Sequence, residues 1–111
     1  MILGIFLMLA QPAQQPNIGD QMAAMGRAMD QWKICAATNA RKYALATKEP
    51  AASVVEAAIG ECSADLNAVR YSLMGFSSSD ETDRTIKFLL DEWRPNLMAG
   101  VFRLRSAPRK K

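Results

Sequence analysis

The chain has 111 residues, half of them hydrophobic but only 7% aromatic, a formal net charge of +3 and no histidine. That length supports one small domain with a packed core. The missing imidazole excludes a serine triad and removes both the commonest general base and the commonest metal ligand. Abundant Ala and Met suit helices better than strands, which draw on β-branched and aromatic residues, so the expected fold class is all-α.

The charge is unevenly placed. The last nine residues, RLRSAPRKK, hold Arg103, Arg105, Arg109, Lys110 and Lys111 and no acid. The remainder carries nine basic and eleven acidic residues, a net of −2, so a mildly acidic body bears a cationic tail. No apolar run reaches the ~18 residues of a membrane span.

In chain order, Ile2 to Leu9 form a nearly continuous apolar run, followed by Ala10 and Ala13. Such a run before small residues reads as a signal peptide over residues 1–13, although no Lys or Arg precedes it. The alternative is a short helix docked on the domain. Two prolines and a glycine within residues 11–20 oppose a helix, so residues 14–20 read as a flexible leader. A helical domain is expected over 21–105, and a basic tail over 106–111.

The first helix is expected from Asp20 to Lys48. Met22, Met25, Met29, Trp32, Cys35, Ala36, Asn39, Tyr43 and Ala46 recur at three- and four-residue steps and make one stripe. Pro50 ends that pattern and suits the first turn of a second helix, where its missing N–H costs nothing. The second helix is expected as one piece from Pro50 to Met74, with Val55, Ala58, Ile59, Cys62, Leu66, Val69 and Leu73 inward. Gly75 reads as its stop. Ser78 and Glu81 have capping-box spacing, and Asp80, Glu81 and Asp83 favour a helix N-terminus. The third helix presents Ile86, Leu89, Trp93, Leu97, Val101 and Leu104, and keeps its register past Pro95. A kink near Asp91–Pro95 is expected there, giving a three-helix arrangement.

The two cysteines fit this outline. The midpoint of 35 and 62 falls on the Lys48–Glu49 turn, so antiparallel helices joined there place both at one height, ~20 Å from the turn. Both lie on inward stripes, and Ala36, Ala37, Ala58 and Ala64 permit the close approach that a disulfide needs. A Cys35–Cys62 disulfide is therefore expected, and with it an oxidising compartment, periplasmic or secreted. Two buried free thiols in a cytosolic bundle are the competing reading. Catalytic thiol chemistry has no C-x-x-C and no histidine behind it.

Trp32 three residues before Cys35, then Tyr43–Ala44, the Glu49–Pro50–Ala51 turn and Cys62 form a pattern that resembles small secreted bacterial helical proteins. The resemblance covers residues 32–62. It implies a helical hairpin and export, and it supplies no activity.

Other candidate chemistry is thinner. Met22, Met25 and Met29 beside Trp32 offer soft thioethers for Cu(I), against the plainer reading of core filling. Asp80, Glu81, Asp83, Asp91 and Glu92 lack calcium-loop spacing, and the glycines form no phosphate-binding pattern. The tail residues Arg103, Arg105, Arg109, Lys110 and Lys111 are candidates for contact with an anionic membrane surface, with Val101, Phe102 and Leu104 adding apolar insertion. A frayed, solvated terminus is the simpler alternative. The sequence thus points to a non-enzymatic exported structural or interaction protein of the cell envelope. No cofactor and no small-molecule substrate are expected, and a protein partner is preferred over nucleic acid. A cytosolic helical partner- or nucleic-acid-binding module is the alternative, and a small periplasmic copper-binding protein the third option.

Overall fold

The computed structural model describes residues 18–107. The expected signal peptide over 1–13, most of the leader, and the tail residues Arg109, Lys110 and Lys111 lie outside them. The described chain is all-helical: α1 (Ile18–Ala46), α2 (Ala51–Glu61), α3 (Ser63–Met74) and α4 (Ser79–Ser106).

The helix count corrects the expectation of three. The segment read as one helix from Pro50 to Met74 is two helices meeting at Cys62. There the backbone turns to φ −100° and ψ 23°, and the Cys62 N–H bonds three residues back to Ile59 O at 3.1 Å. Hydrogen bonding resumes at once, because Leu66 N–H donates to Cys62 O at 3.0 Å. The physical cause is local: Gly60 has poor helix propensity, and the cysteine two residues on is held to α1.

The ends of α1 also move. It begins at Ile18, inside the segment read as leader, and ends at Ala46, where Thr47 N–H still donates to Tyr43 O. Pro50 stands just before α2, its carbonyl accepting from Val54 N–H. At the start of α4, Ser78 is the N-cap as the spacing predicts. Its Oγ accepts from Glu81 N–H at 3.2 Å and lies 3.1 Å from the Glu81 carboxylate. Gly75 closes α3 in ordinary right-handed geometry, with φ −68°, so no left-handed cap is used. α4 is one continuous helix through Pro95.

α1 is the spine against which the other three pack. α2 and α3 return along it in succession, and α4 packs against all three. The core runs along Trp32, Ala36, Ala40 and Ala44 of α1, and meets Val54, Val55, Ala58, Val69, Leu73, Ile86, Leu97 and Val101. Ala40 and Ala44 belong to it although their hydropathy does not announce them, whereas Met22 is exposed. Four ion pairs among the described residues tie helix to helix or stiffen α4. Arg94 forks onto Glu56 of α2 at 2.8 and 3.3 Å, Arg70 of α3 pairs with Asp83, and Asp91 meets Lys87 at 2.7 Å and Arg94 at 3.3 Å.

Candidate functional site

Three features carry chemistry: the cysteine pair, the Arg105 clasp and a groove between α1 and α4. α1 holds Cys35 near its middle, and the break before α3 holds Cys62. Their Cα atoms are 5.9 Å apart and their sulfurs are at disulfide distance. Asn39 sits one turn along from Cys35. Its Nδ2 donates to Cys35 O at 3.0 Å and lies 3.5 Å from both sulfurs. The Asp65 carboxylate completes a cluster in which all three ligand atoms lie within 4.8 Å of one another. With the sulfurs bonded to each other there is no thiolate to offer a metal, so this cluster acts as a covalent staple.

Arg105 was among the residues expected to meet an anionic surface. It stays exposed at the surface. Its guanidinium donates to three main-chain carbonyls: Ala44 O at 3.1 Å, Thr47 O at 3.0 Å and Glu49 O at 2.6 Å. These are the end of α1 and the connection to α2, where helix carbonyls lack partners and the helix dipole favours a cation. Arg105 is a clasp joining the end of α4 to the turn 58 residues earlier. Val101 is buried and Leu104 half-buried, so of the three residues expected to add apolar insertion Phe102 alone is exposed. Arg103 remains at the surface.

Because the clasp joins the C-terminal ends of α1 and α4, and Lys33 meets Trp93 nearer their starts, the two helices run in the same direction. Between them lies a groove of about 600 Å³. Its lining is largely apolar, with Ala37, Ala40, Ala99 and Gly100 beside Leu97, Val101 and Leu104. Trp93 forms a wall, and Lys33, Arg41 and Arg103 stand on the rim. Lys33 Nζ lies 5.3 Å from the Trp93 ring centroid. No Asp or Glu lines the groove, and among the described residues Arg41 and Arg103 make no ion pair. Neither Arg41 nor Trp93 drew attention in the sequence as a site residue. The signal lies in three dimensions, since residues 33, 41, 93 and 103 share a surface only once the two helices are parallel.

The methionines expected on one face are divided. Met25 and Met29 pack against the core beside the wholly buried Trp32, and Met22 faces outward. Of the acids, Asp91 accepts from Lys87 and Arg94, and Lys87 chiefly holds its carboxyl below the usual range. Glu56 on Arg94 raises the guanidinium in turn. Tyr43 Oη donates to Glu61 at 2.9 Å, linking α1 to the end of α2, and that hydrogen bond raises the phenol above its ordinary value. No described helix is long and apolar enough to cross a membrane.

These features define a stapled, all-helical four-helix scaffold with a cationic groove. Comparison of the chain with protein-family models, curated proteins and solved structures finds no match.

Proposed function

We propose that the chain is an exported, non-enzymatic interaction protein of the cell envelope, periplasmic or secreted, whose scaffold is set by oxidation of Cys35 and Cys62. The observation that carries this is the placement of the two sulfurs at bonding distance across α1 and the α2–α3 break. A bond so placed persists only in an oxidising compartment. The apolar run Ile2–Leu9 followed by Ala10 and Ala13 supports removal of residues 1–13 as a signal peptide. The absence of histidine from the sequence supports a binding rather than a catalytic role. A bend of α4 at Asp91–Pro95 belongs to the same reading, because Pro95 has no N–H for the carbonyl four residues back.

The test is the mass of the native protein, isolated with thiols blocked. Loss of the N-terminal segment together with two hydrogens is the expected result. An intact chain with two labelled thiols returns the cytosolic alternative.

A further inference from the structure

The α1–α4 groove carries an inference about the kind of partner. Its apolar lining includes three alanines and a glycine, small side chains that let a third helix approach closely. A Cβ placed on Gly100 would meet nothing within 4 Å, so the space above it is open. Two parallel helices with such a lining offer the trough in which an amphipathic helix lays its apolar stripe.

The rim selects the charge. Lys33 and Arg41 are eight residues apart on α1, ~12 Å along the helix, and Arg103 stands on the opposite wall. Cations therefore occur at both ends of the groove, with no acid between them. A fatty acid or lysolipid has one charged end, and its tail would lie against the other cation. A helix with carboxylates two turns apart, at i and i+7 or i+8, meets both ends while its small apolar residues face the apolar lining.

We propose that the α1–α4 groove receives an acidic amphipathic helix of a partner protein, its alanine- or leucine-bearing stripe on Ala37 and Gly100 and its carboxylates on Lys33, Arg41 and Arg103. The proposal rests on the interaction reading of the chain and is independent of export.

The test is calorimetric titration of the oxidised full chain with two synthetic helical peptides. One has an Ala–Leu stripe with Glu at i and i+7, and the other carries Gln at those positions. The Glu peptide binds about tenfold or more tightly than the Gln peptide, and added salt weakens it. Gly100→Leu, whose Cβ meets no atom within 4 Å, and the double variant Arg41→Ala, Arg103→Ala each lose about tenfold of that affinity while melting no lower than the parent. Equal binding of the two peptides, or binding indifferent to Gly100→Leu, overturns the proposal. Phosphatidylglycerol vesicles bound through Arg41 and Arg103 by a chain that ignores the Glu peptide overturn it in favour of a lipid surface. Concentration-dependent self-association blocked by Gly100→Leu overturns it in favour of a second copy. A partner that the native chain holds regardless of Gly100→Leu sinks the groove and leaves the interaction reading standing.

Discussion

Replacing Arg105 with alanine isolates the clasp between α4 and the α1–α2 turn. The guanidinium makes three charge-assisted hydrogen bonds to carbonyl oxygens. A hydrogen bond to a charged group contributes about 1.5–3 kcal/mol where water is excluded. Simple addition over three bonds overstates the effect, because the bonds to Thr47 and Glu49 are exposed and water replaces Arg105 there. Only the Ala44 carbonyl is partly buried. The favourable meeting of a cation with a helix C-terminus adds about 0.3–1 kcal/mol. With the low end of each figure, because the inward bond is only partly buried, the net loss is about 2 kcal/mol. For a domain of this size that lowers the melting temperature by roughly 8–16 °C. The assay is thermal unfolding followed by helix circular dichroism, with the disulfide intact. Arg105→Lys keeps the charge but not the fork, and recovers less than half of the loss. Removing residues 106–111 takes the net charge from +3 to 0 but spares Arg105, and leaves the midpoint within the ~0.5 kcal/mol scale of surface changes. A melting temperature unchanged by Arg105→Ala, or lowered equally by Arg103→Ala, would refute the clasp.

Three further expectations concern stability. Reduction of Cys35–Cys62, which closes a loop of 27-residue separation, costs about 3–4 kcal/mol on the chain-entropy account, and equal denaturant midpoints for the oxidised and reduced chains would contradict it. Thr82 is 1% exposed and its Oγ1 has no hydrogen-bond partner, so Thr82→Val leaves stability unchanged or raises it by about 1 kcal/mol, as chemical denaturation will read. The Tyr43 phenol, raised by its bond to Glu61, favours its neutral form in the fold; the stability it contributes is whole below the ordinary tyrosine value and fades as pH rises through the folded one. Glu61→Gln brings the phenolate absorbance transition of Tyr43 back toward that ordinary value, and an unmoved transition would deny the link.

Much of the fold was legible because it depends on local pattern. The Ser78–Glu81 cap, the stripe from Ile86 to Leu104 and the cysteine midpoint all follow from spacing along one or two helices. The break at Cys62 was hidden because the apolar stripe of α2 continues into α3 without a change of period. Gly60 was its only sign. On α1 the methionines drew attention by their hydropathy, yet the tight packing uses Ala36, Ala40 and Ala44, whose small size matters more than their transfer energy. Arg105 looked like one more charge in a basic tail, since no sequence pattern reports which carbonyls lie 56 to 61 positions upstream. The groove was invisible for the same reason: it exists only through the relative direction of α1 and α4.

The position of the staple bears on what a protease can achieve. A single peptide-bond cut anywhere from residue 36 to residue 61, including the exposed turn at Thr47–Pro50, would leave both fragments covalently joined through Cys35 and Cys62. Arg105 would still hold carbonyls at that turn from the far end of the chain. Under non-reducing electrophoresis a nicked molecule would migrate as one species and separate only on addition of a thiol. Loss of the intact band would then lag behind cleavage itself, and tolerance of a cut chain becomes a property of the cross-link rather than of resistance at the cut site.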